Sequence, residues 1–400
     1  MKRLWLIGVV GIAALLALGA GRLGASSEAK APIKIGTLTS LTGPFTAWGV
    51  EVRDGMQLAA NQINAKGGVK GRKIELVVGD DLSSPNGGID AYRRLTEQEH
   101  VVAVGGLISS DVALATSRLA ESAHVPMFLV KAGASEILTS SSRYTFRTCL
   151  PAAPEVATPI LHYAQKKKVT RVGAIIADYA WGQAIKSALE STFAKAPRIK
   201  LNIQVAPLRT SDFTTYLRAL SAQNPQLIVA TGHPPGSGAI LTQAGQLGLS
   251  VPVAGAYSPF NVVAKAAGTA AERRWADFKC ANFASKGYKT LARQFLRAFP
   301  NDSFFEDDAL AGYAIVKILA QAIGKVGTNQ AKIATYVHKH AFTIPGYMFK
   351  LQWTGWGELK RPRIALDLLG TGPAPRGTNT AGTWYPKQLS ISKPLAAYRP

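Results

Sequence analysis

The chain has 400 residues, 47% of them hydrophobic, with 46 Lys and Arg against 24 Asp and Glu and a formal net charge of +22. That length exceeds one ordinary core and points to two domains, and the apolar content excludes an intrinsically disordered chain. The basic residues are scattered, with the densest run at Lys166-Lys167-Lys168, so the charge reads as a solvated positive surface and not as a specific nucleic-acid footprint.

Lys2 and Arg3 precede an apolar run from Leu4 to Ala20 and a small-residue exit, the pattern of a signal peptide over residues 1–25 with cleavage after Ala25 or Ala29. The run is near the minimum for a retained membrane anchor, but its small-residue exit favours removal and export to the periplasm. Gly19, Gly21 and Gly24 form a GxGxxG match inside that segment with no strand before it, so it carries no nucleotide-binding meaning. No later stretch reads as long and apolar enough to cross a bilayer.

Beyond the signal, Ile33–Leu38 reads as a strand, followed by a helical stripe at Trp48, Val52, Met56, Ala59 and Ile63. Gly67-Gly68 and Gly71 end that helix, and Ile74–Val78 is a second strand. Helix and strand signals then alternate to Val125–Val130. A second series runs from a helix near Glu155–Lys167 through strands at Arg171–Ala177, Ile203–Ala206, Leu227–Ala230 and Val251–Ala254. Thr290–Ala298 and Ala309–Gly324 carry helical stripes, and the tail after Leu368 reads as loop. Such alternation predicts an α/β fold with parallel sheets covered by helices.

The sequence contains no GxSxG, HExxH or P-loop, and its six histidines are dispersed, so an enzyme is disfavoured and no cofactor or metal is expected. Cys149 and Cys280 are too few for a disulfide scaffold and lack metal spacing, while an oxidising compartment permits them to pair. Asp80-Asp81 reads as a loop cap, and Glu306-Asp307-Asp308 as a helix start. Gly105 to Ser110 runs from a strand into a helix, where hydroxyls and free amides make either a carboxylate cradle or a plain serine cap. Trp48 and Trp181 follow equivalent strand–loop positions in the two series, as two jaws of one pocket would.

The motifs SLTGPFTAWG (40–49), INAKGGVKGRKIEL (63–76), DDLSSP (80–85), VGGLISSD (104–111) and YTFRT (144–148) resemble the type I periplasmic solute-binding proteins, specifically the leucine/isoleucine/valine-binding branch that feeds ABC importers. The resemblance spans roughly residues 32–365 and implies two Rossmann-like lobes with parallel sheets joined by three crossover strands. The implied crossovers lie near Thr145–Cys149, Asp277–Asn282 and Met348–Trp353, giving an N-lobe of 31–147 plus 282–348 and a C-lobe of 148–281 plus 349–400. Cys149 and Cys280 would then fall on neighbouring hinge strands, where register decides whether a bridge forms.

The resemblance also implies site residues. Trp48 matches an aromatic wall, Ser109, beside Ser110, a hydroxyl that holds the ligand carboxylate, and Lys131-Ala132-Gly133-Ala134-Ser135 a second carboxylate loop. The family usually has a threonine near Ala134, for which Ser135 substitutes; Trp181 and His233 take the places of C-lobe aromatics. Tyr257 stands about where branched-chain amino-acid binders place a glutamate for the ligand ammonium. Retained carboxylate features without that acid imply a carboxylate ligand lacking an α-amino group, such as an aromatic acid, with Lys131 drawing in the anion. The expected protein is a monomeric, non-enzymatic receptor that hands its ligand to a membrane permease. The alternatives are a branched-chain or other amino-acid binder and the sensing module of a signalling receptor.

Overall fold

Alternating apolar strands and amphipathic helices build two sheets. The computed structural model describes residues 30–400 apart from positions 234, 272, 273 and 381, so the expected signal peptide lies outside the described residues. The first sheet is assembled from β1 (Ile33–Thr39), α1 (Thr46–Ala65), β2 (Ile74–Asp80), α2 (Pro85–Arg93), β3 (Val104–Leu107), α3 (Ser110–Ala123), β4 (Met127–Leu129) and β5 (Thr145–Arg147). Its order is β2-β1-β3-β4-β5 and every pairing is parallel.

The chain continues through α4 (Ala153–Lys166), β6 (Arg171–Asp178), α5 (Ala180–Phe193), β7 (Lys200–Pro207), α6 (Thr214–Ser221), β8 (Leu227–Thr231), α7 (Ser237–Gln246), β9 (Val253–Ala256), α8 (Phe260–Ala267) and β10 (Trp275–Lys279). It returns to the first lobe as α9 (Lys286–Ala298), α10 (Asp307–Val326) and α11 (Gln330–Lys339), then ends in β11 (Ala365–Thr371) and β12 (Trp384–Ile391). The second sheet runs β12-β11-β10-β9-β8-β6-β7, parallel from β7 to β10 and antiparallel at β11 and β12.

The stripe Trp48, Val52, Met56, Ala59 and Ile63 is buried along α1, which packs on α10. A Cβ on Gly55 would collide with the Ala309 carbonyl, and one on Gly312 with the Val52 carbonyl, so only glycine allows these two helix backbones to touch. Contrary to the sequence expectation, α10 is long and apolar enough to cross a membrane, yet most of it is buried against α1, α11 and β3. Its continuous apolar surface is that of a central core helix.

Three differences from the sequence reading concern the chain's last part. Residues 348–353, expected as the third crossover, stay with the first lobe: Leu351 bridges Phe342, and the Trp353 ring packs on Phe128 and Phe146. The chain joins the second sheet only at Ala365. The tail read as loop contains β12, an edge strand whose Pro386 and half-polar face gave no alternating signal. Past β12 the chain turns back, with Leu395 N–H donating to the Pro362 carbonyl at 2.9 Å and Trp356 Nε1 to the Tyr398 carbonyl at 3.1 Å.

Cys149, just beyond β5, and Cys280, just beyond β10, are joined by a disulfide with Cα atoms 5.4 Å apart across 131 residues of sequence. It ties the first crossover to the second. Closing so long a loop restricts the unfolded chain, so replacing both cysteines by alanine should lower unfolding free energy by about 2–5 kcal/mol. Guanidinium denaturation of the C149A/C280A protein against wild type checks this, and an unchanged midpoint would contradict it.

Candidate functional site

The carboxyl ends of the first sheet's strands carry the site's first wall. Asp80 shapes the loop after β1: its carboxylate accepts hydrogen bonds from the amides of Leu41 (2.9 Å), Thr42 (3.4 Å) and Leu82 (2.9 Å) and from Thr42 Oγ1 (2.9 Å). This is the loop-capping role read from the sequence. The loop delivers Phe45 and Trp48, whose rings stack at 5.9 Å. Trp48 is buried, and its Nε1 has no hydrogen-bond partner.

Beyond β3 the chain turns at Gly106 (φ +115°) into α3. Ser109 precedes α3, buried, with its Oγ unpartnered. Ser110 Oγ accepts the Ala134 amide at 3.2 Å and so ties the 131–135 loop to the start of the helix. The carbonyls of Ala132 and Ala134 accept from the Arg147 guanidinium, which is itself buried and ion-paired with Glu358 at 2.8 Å. Ser135 opens a short 3-10 turn at the loop's far end and is half-buried.

The second lobe meets this wall directly. Trp181, in the first turn of α5, donates from Nε1 to Thr231 Oγ1 at 3.1 Å, and Thr231 in turn donates to the Ala256 carbonyl at 3.2 Å. The indole lies so close over Gly133 that any Cβ there would collide with its six-membered ring. Tyr179 packs on Phe45 at 5.3 Å. Two second-lobe helices also start on first-lobe acids: the Ala180 amide of α5 donates to Asp111 at 3.1 Å, and the Asn261 amide of α8 donates to Glu306 at 2.9 Å. Carboxylates at helix N-termini are favourable, and these two exist only while the lobes are shut. The structure is therefore a closed form.

Tyr257 follows β9 with φ +63°, a left-handed backbone that a non-glycine residue adopts only when its surroundings impose it. Its ring is buried and its hydroxyl has no partner. His233 is different. Its Nε2 lies 3.2 Å from the carbonyls of Ala206 and Pro207, and its ring meets Phe213 edge-on, so it is held within the second lobe and is not brought to the seam. Burial pushes its imidazole below the usual range.

Lys131 reaches into the seam. Its ammonium lies 3.1 Å from the Tyr257 carbonyl, 3.3 Å from Asp307 and 3.1 Å from Asp308, above the Tyr257 ring at 4.8 Å and the Trp48 ring at 5.8 Å. The expectation that Lys131 draws in an anion needs correction, because its charge is already met by the protein's own acids. Lys279 pairs with Asp307 (3.3 Å) and Glu306 (3.6 Å) from the other side. Asp307 also accepts the Cys280 amide at 3.3 Å and lies 3.5 Å from Cys149 Sγ. Burial raises the Asp307 pKa, but Lys131 and Lys279 outweigh it and hold the carboxyl below its ordinary range. Asp308 is pushed up to about 7 by burial, against the pull of Lys131.

Sequence reasoning missed the charge network. Glu306-Asp307-Asp308 was legible as a helix start, but not as the counter-charge of Lys131 and Lys279. A lone lysine inside the apolar strand WADFK was the available signal for Lys279.

The sequence profile of the periplasmic binding proteins matches residues 32–354. The chain belongs to that family. A Leu/Ile/Val-binding protein homologue of Brucella suis is 30% identical over 369 residues, spanning 86% of this chain and 91% of its own length. The Leu/Ile/Val-binding protein BraC3 of Rhizobium johnstonii is 25% identical over 342 residues, spanning 84% of this chain and 92% of its own. Among solved structures, a leucine-binding protein from Thermotoga maritima superposes with a TM-score of 0.76 at 20% identity, covering 90% of this chain and 99% of its own. An R. palustris solute-binding protein in complex with benzoate gives 0.77 at 18% identity, covering 92% and 98%. This binding protein is thus a periplasmic binding protein related to the Leu/Ile/Val-binding proteins, with the type I fold of its structural neighbours.

Two outcomes follow for this binding protein. Asp277, buried on β10, accepts from Trp275 Nε1 at 3.0 Å and is pushed up to about 7 by burial, with Lys279 and Lys131 opposing. Like Asp308, it holds a proton in the folded state that an unfolded aspartate has lost above pH ~4. The stability these two groups contribute is therefore full below pH ~4, is lost as pH rises through about 7 and changes little above it. Melting temperatures should decline from pH 5 to about 7 and level off toward 8.5, with a shallower slope for D277N. Separately, G133A sets a methyl against both the Trp181 ring and Leu150. It should lower the melting temperature and enlarge the radius of gyration by small-angle scattering; an unchanged radius would refute the Trp181 contact's role in closure.

Proposed function

We propose that this binding protein captures a small carboxylate lacking an α-amino group, with an aromatic acid the best fit, and delivers it to a membrane permease. The observation that carries the reading is that three donors, Ser109 Oγ, Trp48 Nε1 and Tyr257 Oη, are among the buried polar atoms without a hydrogen-bond partner in the described residues. All three can donate, and buried donors require an acceptor. Around them stand Phe45, Trp48, Tyr179, Trp181 and Tyr257, ring surfaces suited to an aryl group. Proteins of the same fold are in complex with benzoate, 3,4-dihydroxybenzoic acid and 4-hydroxybenzoate, which supports the class of ligand. In this reading Ser109, Ser110 and the 131–135 loop fix the acid group, and Trp48, Trp181 and Tyr257 close over the ring. His233 steadies the second lobe behind them.

A second reading, an amino-acid ligand, draws on the Leu/Ile/Val names of the relatives and on a fold neighbour in complex with isoleucine. A thermal-shift series with benzoate, 4-hydroxybenzoate, leucine and isoleucine at equal concentration separates the two, because a ligand of the native state raises the melting temperature. The aryl carboxylates should raise it and the amino acids should not; the reverse order would overturn the proposal. S109A should weaken aryl carboxylate binding by about 1.5–3 kcal/mol, the range for a hydrogen bond to a charged group, as read by calorimetric titration.

A further inference from the structure

We infer that Lys131 is a specificity-determining residue: its ammonium is a built-in occupant of a cation cage at the lobe seam, and it excludes ligands that would place an ammonium of their own there. The inference rests on the proposed carboxylate reading and deepens it. The geometry is that of a recognised cation. Three oxygens lie within 3.3 Å of Nζ, namely the Tyr257 carbonyl and one oxygen each of Asp307 and Asp308. Two aromatic faces, from opposite lobes, complete the enclosure. The ammonium donates to the Tyr257 carbonyl and to Asp307 and lies in ion-pair range of Asp308.

Each part of the cage comes from a different element. Lys131 stands on the loop after β4, Trp48 on α1, Tyr257 after β9, and Asp307 and Asp308 in the first turn of α10. Three other segments thus converge on one tethered cation, and Lys131 is only 4% exposed. The cage discriminates by charge. A free amino acid would have to bring a second ammonium beside this one, and burying two like charges together is costly. A deaminated acid of the same shape meets no such penalty. The adjoining donors Ser109, Trp48 and Tyr257 then face a carboxylate.

The test is to empty the cage. Lysine truncated to alanine loses three methylenes and the ammonium, the outline of n-propylammonium. In K131A, propylammonium chloride should raise the melting temperature by about 2–4 °C over equimolar sodium chloride, a shift of the size expected for roughly 1 kcal/mol in a large domain. K131M, which refills the space without a charge, should show no such rescue. Equal effects of the two salts on K131A, or equal rescue of K131M, would overturn the inference. Should K131A not accumulate folded, refolding from guanidinium decides: recovery with propylammonium alone supports the cage, and equal or no recovery in both salts overturns it.

A second arm compares phenylalanine with 3-phenylpropanoate. Wild type should prefer the deaminated acid, and K131A should narrow that preference at least tenfold; a wild type that prefers phenylalanine would overturn the inference. If wild type binds neither, the carboxylate reading fails while the propylammonium result still judges the cage.

Discussion

The structure turns on a buried ion network where the chain crosses between lobes. Asp307, at the start of α10, accepts from Lys131 on one side and Lys279 on the other and touches the sulfurs of the Cys149–Cys280 bridge. Glu306 and Asp308 flank it, and all five charged groups are 4% exposed or less. Such a network adds little stability over an apolar core of equal volume, but removing a single member leaves an uncompensated buried charge, a loss of about 3–5 kcal/mol. Its value lies in register. It fixes the 131–135 loop, the second crossover and α10 relative to one another, and these carry the binding walls.

Closure adds further bonds, one of them on Glu306 of this network. The helices α5 and α8 of the second lobe find their N-terminal partners, Asp111 and Glu306, on the first lobe. Asn261 adds a side-chain hydrogen bond to Glu51 at 3.2 Å. An opening motion releases these amides to water and separates Trp181 from Gly133. The difference between open and shut forms is then a handful of replaceable hydrogen bonds and ring contacts, small enough for a ligand of ordinary affinity to bias.

Much of this was legible in the residues. Short apolar runs marked β1 and β2, and a period-3.6 stripe marked α1, whose buried face is continuous. Strand-end position pointed to Trp48 and Ser109, and the family resemblance to the 131–135 loop. Sequence reasoning failed at β11 and β12, whose antiparallel edge mixes Pro386, lysines and glutamine with few apolar residues. It failed again at 348–353, where Leu351 and Trp353 satisfy a hairpin on the first lobe instead of a crossover. The role of Lys131 was out of reach from sequence because its partners Tyr257 and Asp307 lie 126 and 176 residues further along the chain, and no local pattern reports a pairing that only tertiary folding creates. His233 reads as an aromatic of the pocket by position, yet its ring nitrogen is taken by two strand-end carbonyls of its own lobe.

The bridge between Cys149 and Cys280 has a topological corollary. The covalent ring it closes contains α4 through β10, nearly the whole parallel part of the second sheet. A protease that nicks any surface turn inside that ring releases no fragment, since both pieces stay joined through sulfur. The second lobe can therefore survive a backbone break as one covalent body, whereas a cut in the first lobe's helical return, past residue 280, has no such safeguard.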